Sequence, residues 1–196
     1  MARLAVLASG NGSNFQALAE KLGSGEGRRH QCALLIYDRR AAFAADRAAR
    51  LGIPARYVSY YKRDALEAEA EIASALSESG IDLVALAGFM RILSPAIVDS
   101  RRGRIANIHP SLLPKWPGAR AIERAFEAGE REFGATVHLV DEGMDTGPIL
   151  ASSSFRSEPH CALSDIEARV HEIEHDIYPR AVVDLLDAIE DERGAR

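Results

Sequence analysis

Asn107 and His109 set a carboxamide and an imidazole two residues apart, behind Ile105 and Ala106 and directly before Pro110. In a strand, residues i and i+2 share a face, so both polar heads point the same way. Pro110 then stops the ladder just beyond them. A neutral hydrogen-bond donor beside an imidazole suits a reaction in which an oxyanion develops while a proton moves. The competing reading is a hydrogen-bonded core histidine next to a turn asparagine. The segment that follows favours chemistry, because Pro110, Pro114 and Pro117 stiffen an irregular path around Lys115 and Trp116 that ends at Gly118. Ordered loops without regular structure are more often functional than ornamental.

Three other stretches carry chemical potential. The loop DEGMDTGP, residues 141–148, holds three carboxylates and two glycines. An acid from it beside His109 would favour the imidazolium and raise its pKa. Asp145, between Met144 and Thr146-Gly147, is expected to be the most enclosed of the three, the alternative being an acidic turn that faces water. SGNGSN, residues 9–14, is a glycine-containing turn whose N–H groups, helped by a helix dipole, can cradle a phosphate. It lacks the third glycine of a dinucleotide fingerprint, so a phosphate monoester is expected rather than a pyrophosphate, against an ordinary strand-to-helix turn. The run His171-Glu172-Ile173-Glu174-His175 matches the H-E-x-x-H zinc-peptidase pattern, with Glu172 as base. That pattern needs a third ligand, and no G-x-x-H extension follows, so an accidental match is expected.

The elements that position these groups read as alternating strands and helices. Residues 3–8 form a short apolar run, after which Phe15, Leu18 and Leu22 recur at helical spacing. Residues 32–37 predict a strand and 41–51 an alanine-rich helix ended by Gly52 and Pro54. A third strand is expected at 55–58, followed by a helix from Asp64 to about Ser79 with Asp64 and Glu67 at capping-box spacing. Arg63 just precedes it and is a candidate anion ligand or a solvated surface group. Residues 81–87 are apolar almost throughout, as a strand buried on both faces should be. GFMRIL, residues 88–93, then carries large apolar side chains into a loop that either walls a flat ligand or fills the core. A short helix opens at Ser94-Pro95. Further on come a helix at 122–128, strands around Ala135 to Leu139 and 149–155, and a final helix with Ser164 and Glu167 at capping-box spacing and a kink expected at Pro179. The pattern implies an α/β, doubly wound, mostly parallel sheet with helices on both faces, and ligands beyond the carboxyl ends of the strands.

With 196 residues and 47% hydrophobic content the chain can bury one sizeable core, and a single domain over 1–196 is expected. A net charge of −5 argues against nucleic acid or a membrane surface as partner, leaving local basic groups to serve small anions. Cys32 and Cys161 lie far apart without ligand spacing, which points to reduced, cytoplasmic thiols. The first apolar run is too short for a signal peptide and no run approaches a membrane span.

Taken together, SGNGSN, LAGFMRILS, NIHPSLLPKWPG, TVHLVDEGMDTGPIL and IEHDIYP are similar, in order and spacing, to the folate-dependent formyltransferases, and within them to the branch that formylates glycinamide ribonucleotide in purine biosynthesis. NIHPSLLP with a downstream D-x-G-P belongs to the wider group; GNGSN, GFMRIL and EH-x-IYP are shared with that branch. The resemblance implies a Rossmann-like formyltransferase fold and direct transfer of a formyl group from 10-formyltetrahydrofolate, a co-substrate, with no metal. It implies Asn107 as oxyanion donor, His109 as proton donor and Asp145 as the acid that raises the His109 pKa and moves protons through water. Gly12, Ser13 and Asn14 match the phosphate loop, and Glu174 the acid on the ribose hydroxyls, with His171 and Glu172 alongside. Met90, Arg91, Ile92 and Leu93, with Asp141, Glu142, Gly143 and Met144, match the folate-binding loops, and Arg63 matches a family arginine. Arg120 and Ile122 stand where some members have histidines. The chain is expected to be a monomer or weak homodimer acting on small molecules. The alternatives are a formyltetrahydrofolate hydrolase, for which a further N-terminal domain is expected, and a zinc peptidase using His171, Glu172 and His175.

Overall fold

The computed structural model describes residues 1–25 and 29–195. The chain runs β1 Arg3–Ala8, α1 Ser13–Gly23, β2 Gln31–Tyr37, α2 Ala44–Leu51, β3 Ala55–Tyr57, α3 Ala65–Glu78, β4 Leu83–Leu86, α4 Pro95–Ser100, β5 Ile105–His109, α5 Ala121–Glu127, β6 Glu132–Leu139, β7 Ile149–Arg156 and α6 Leu163–Gly194. These strands form one seven-stranded sheet in the order β3-β2-β1-β4-β5-β6-β7. The pairs among β1 to β5 are parallel, whereas β5–β6 and β6–β7 are antiparallel.

Strand burial explains the layering. β1 and β4 are buried along nearly their whole length, as central strands covered on both faces must be. On one face, Phe15 and Leu18 of α1, Ala44 and Ala48 of α2 and Ile166, Val170 and Tyr178 of α6 pack with Leu4, Val6 and Ala85. On the other, Ala68, Ile72 and Leu76 of α3 and Ile97 and Val98 of α4 pack with Ala5, Leu7 and Val84. The strand order reverses between β1 and β4, which places the ligand crevice at their carboxyl ends. There Ser9 N–H donates to Gly88 O at 3.1 Å, and Met90 N–H donates to Ser9 Oγ at 2.8 Å.

Several element boundaries differ from the sequence expectations. α2 begins at Ala44 rather than 41, because Ala42 N–H closes a turn on Arg39 O at 2.9 Å. β4 is confined to Leu83–Leu86, and α5 spans Ala121–Glu127. Asp64 caps α3 by accepting from Leu66 N–H at 2.7 Å, but Glu67 turns toward Arg63 at 4.0 Å instead of completing a box. At α6 the capping register lies two residues earlier than expected, with the Asp165 carboxylate accepting from Ala162 N–H at 3.3 Å. α6 runs through Pro179 as one 32-residue element. Tyr178, fully buried beside that proline, has its hydroxyl within hydrogen-bond reach of Leu86 O (2.9 Å) and Ala106 O (3.0 Å), fastening the helix to β4 and β5.

Candidate active site

β5 delivers Asn107 and His109 to one face at its carboxyl end, and its antiparallel register with β6 sets Asn107 opposite His138 and His109 opposite Thr136. Asn107 Nδ2 lies 3.1 Å from His138 Nε2 and 3.5 Å from Asp145 Oδ1. His109 Nδ1 lies 3.4 Å from Asp145 Oδ2. Its other nitrogen, Nε2, donates to Trp116 O at 2.9 Å. One ring nitrogen of His109 is thus bonded to the backbone and the other faces the Asp145 carboxylate. Because Nε2–H is taken by the backbone, the exchangeable proton nearest the cluster is the one on Nδ1.

Two loops make this convergence possible. After β5, Ser111 N–H returns to His109 O at 2.9 Å, and Ser111 Oγ–H donates to Lys115 O at 2.7 Å. Thr136 of β6 clasps the same loop, donating through its hydroxyl to Ser111 O at 2.7 Å and accepting from Leu113 N–H at 3.1 Å. Trp116 and Gly118 adopt left-handed backbone conformations, the former turning its carbonyl to His109. Gly118 N–H then donates to Asp145 Oδ2 at 2.7 Å. Asp145 itself sits at φ 57°, a conformation that Asp tolerates better than most residues.

Asp145 is held at a pKa of about 2. The leading cause is His138, whose Nε2 lies 3.5 Å from Oδ1; the Gly118 N–H and the His109 charge add to it, against the opposing effect of burial. The group is a carboxylate throughout the neutral range. The side chain is 12% exposed, which makes it the most enclosed acid of its loop, as expected. Asp141 instead builds the turn, accepting from Gly143 N–H (3.0 Å) and Thr146 Oγ1 (2.8 Å), while Glu142 is exposed, 3.6 Å from Arg102.

A second polar cluster lies where α1 meets α6. Gly12 takes φ 76°, and a Cβ there would come within 2.6 Å of Ala44 Cβ and 2.8 Å of Ala44 Cα, so glycine is required for α1 to start against α2. Asn14 Nδ2 donates to Glu174 Oε2 at 3.0 Å, and His171 Nδ1 donates to the same oxygen at 2.8 Å. Glu174 is buried, and so is Asn14 Oδ1, which has no hydrogen-bond partner among the described residues. The hydrogen bond it donates to Glu174 lifts the His171 pKa above its ordinary value. An open cavity of about 640 Å³ lined by Ser13, Gln16, Arg47 and His175 adjoins this cluster.

Some candidates stand elsewhere. Glu172 is exposed and paired with Arg169 at 3.2 Å, so it is not brought alongside Glu174. Arg63 is engaged by its own helix, donating to Glu71 at 2.8 Å. Among the described residues no three His, Cys, Asp or Glu side chains are grouped to hold a metal ion, so the H-E-x-x-H reading lacks the donor set a zinc peptidase needs. Met90 and Ile92 are exposed, Leu93 is buried in the core, and Arg91 donates to Asp38 at 2.7 Å with its guanidinium over the Tyr60 ring. Thus the 88–93 stretch divides, with Phe89 and Leu93 in the core and Met90 and Ile92 exposed. Arg120 leans along α5 toward Glu127 at 3.7 Å and Ile122 is buried. His138 was absent from the sequence candidates. The alternation of Ala135, Val137 and Leu139 put it on the opposite face, that of Asn107, but only the β5–β6 register shows that it lands against that amide.

Residues 2–182 match the formyl transferase family model. The chain belongs to the formyl transferase family. It is 42% identical over 189 residues to the phosphoribosylglycinamide formyltransferase of Bacillus subtilis, covering 95% of both chains. It is similar in structure to glycinamide ribonucleotide transformylase 1 of Geobacillus kaustophilus, with TM-score 0.90, 44% identity and coverage of 95% of this chain and 99% of that one. It also matches the trifunctional purine biosynthetic protein of Drosophila melanogaster at 42% identity, spanning 14% of that longer chain. A formyl transferase needs groups that stabilise an oxyanion and carry a proton at one carbon. The β5–β6 cluster holds such groups, and Ser111, the hydroxyl nearest in sequence to His109, donates to the backbone instead of to a base.

Proposed function

We propose that this chain, as a single formyltransferase domain over 1–196, transfers the formyl group of 10-formyltetrahydrofolate to the amine of glycinamide ribonucleotide in purine biosynthesis. The observation that carries the reading is that Asp145, from a distant loop, sets its carboxylate 3.5 Å from Asn107 and 3.4 Å from His109 of β5. The amine attacks the formyl carbon directly. As the tetrahedral centre forms, Asn107 Nδ2 and the His109 Nδ1–H donate to the developing oxyanion. Asp145, ionised at neutral pH, neutralises the imidazolium and takes up the amine proton through water. Collapse of the tetrahedral centre then breaks the bond between the formyl carbon and N10 of the folate, the proton lost by the amine passes to N10, and tetrahydrofolate leaves with no covalent enzyme intermediate.

The acceptor lies toward α1. Backbone N–H groups at Gly12, Ser13 and Asn14, at the N-terminus of an 11-residue helix without an acid in its first turn, suit its phosphate, and Glu174 accepts from its ribose hydroxyls. His171 reaches that acid, whereas Glu172 stays at the rim. The pterin fits between the stretches Met90, Arg91, Ile92, Leu93 and Asp141, Glu142, Gly143, Met144. Exposed Met90, Ile92 and Met144 supply apolar walls that a flat ligand would cover. Arg63 meets a folate carboxylate only by exchanging Glu71. The unpaired thiols of Cys32 and Cys161 agree with a cytoplasmic enzyme, acting as a monomer or weak homodimer on small molecules. No described helix is long and apolar enough to cross a membrane.

The deciding assay mixes protein, 10-formyltetrahydrofolate and glycinamide ribonucleotide and follows deformylated folate. Release that requires the acceptor supports the proposal. Release at the same rate without it identifies a hydrolase instead.

A further inference from the structure

Glu174 receives both of its hydrogen bonds on one oxygen. Asn14 Nδ2 and His171 Nδ1 converge on Oε2 at 3.0 and 2.8 Å, and Oε1 takes none from any described residue. A carboxylate that is 4% exposed is costly to keep ionised unless donors or charge answer it, and the one cationic side chain bonded to it here is His171. We propose that His171 is a positioning residue, whose imidazolium holds Glu174 by Oε2 and thereby presents Oε1 to the ribose hydroxyls of the acceptor. The identity of that acceptor rests on the function proposed above.

The charges around His171 set the sign of the effect. Glu174 and Glu167, both on α6, hold it protonated above its ordinary pKa of 6.5, against its partial burial; α1 presents the neutral Asn14. His175, one turn along, has Glu174 and His171 beside it, Arg47 from α2 and Glu20 from α1, and burial pushes its pKa below 6.5. His171 is therefore the member of the pair whose charged form the surroundings favour. Protonated, it cancels the Glu174 charge facing an acceptor that itself carries a phosphate. Deprotonated, it leaves a buried anion opposite an anionic ligand, and affinity falls as pH rises through the raised His171 pKa.

The test is the acceptor KM and kcat from about pH 6 to about pH 9, the range in which an imidazole with a raised pKa changes charge. In the wild type the acceptor KM should climb with pH. His171→Ala should raise it roughly tenfold at the acid end, the worth of one charge-assisted hydrogen bond, and flatten the profile. His171→Asn, which replaces the Nδ1 donor without the charge, should recover part of the affinity and stay flat. The change should fall in KM for the acceptor and not in KM for the folate. A wild-type slope that persists in His171→Ala, or a loss confined to kcat, overturns the proposal. Proton NMR of the His171 ring supplies a readout that needs no turnover: its titration midpoint should drop in Glu174→Gln. If the wild type forms no formylated acceptor, the functional reading fails by itself, and an unmoved midpoint then overturns the positioning role as well.

Discussion

The two polar clusters at the carboxyl edge of the sheet solve opposite electrostatic problems. Around Asp145, two imidazoles and a backbone N–H hold a carboxylate ionised down to about pH 2. Around His171, buried Glu174 does the reverse and raises the pKa of an imidazole toward its charged form. Their mechanical support differs too. The first cluster depends on one antiparallel register and on left-handed backbone at Trp116, Gly118 and Asp145. The second depends on α1 and α6 packing side by side, with Asn14 bridging them directly. His109, the group that must hand over a proton, is fixed to the backbone at 2.9 Å through one nitrogen and left 3.4 Å from Asp145 at the other. A group that must only bind sits where its partners are close, at 2.8 and 3.0 Å.

That contrast can be broken one cluster at a time. His109→Ala and Asp145→Ala should each lower kcat by roughly 10²–10⁴-fold, the usual worth of a general acid or its partner, with thermal unfolding little changed. A mild effect on steady-state turnover would remove the first cluster from the chemistry. Glu174→Ala should act on the other side of the comparison, raising the acceptor KM by about 10–100-fold, as expected when a buried hydrogen-bonding acid is lost, while kcat at saturation changes far less. An equal fall in kcat would merge the two clusters into one. His138→Phe should keep the strand but release Asn107, lowering kcat by about tenfold, the worth of one misplaced donor. An unchanged kcat would leave His138 a purely structural residue.

The smallest effect concerns stability. Asp145 has a folded pKa of about 2 against an ordinary 3.8, so its ionised form stabilises the fold above pH 3.8 and that contribution fades as pH falls toward 2. The difference in unfolding temperature between wild type and Asp145→Asn should be constant near neutrality and shrink below about pH 4, where the unfolded carboxyl begins to take up its proton. A difference that grows in acid would mean that the hydrogen bonds, and not the charge, carry the contribution.

Much of this molecule was legible in order along the chain. The alternation of apolar runs and helical periodicities foretold the doubly wound sheet, since strands buried on both faces must be apolar throughout and helices must show one apolar side. Asn107 and His109 were readable as a pair because the pleat repeats every two residues. Other features escaped because their signals are local and permissive. Ala162 at the start of α6 has no side-chain acceptor, yet Asp165 completes half a box around it, so the better-looking Ser164 misled. Glu172 and Glu174 looked alike in sequence, but two residues along a helix turn about 200° of its circumference, leaving one acid in solvent and the other buried.

By itself, then, the order of residues determined the layers, the strand pair that carries the carboxamide and imidazole, and the helix that carries Glu174, because each follows from short-range periodicity. Only the tertiary structure decided that His138 faces Asn107, that Asp145 turns its carboxylate toward His109, and that His171 meets Glu174. Those are contacts between segments distant in the chain, set by strand register and helix packing, and no local pattern encodes them.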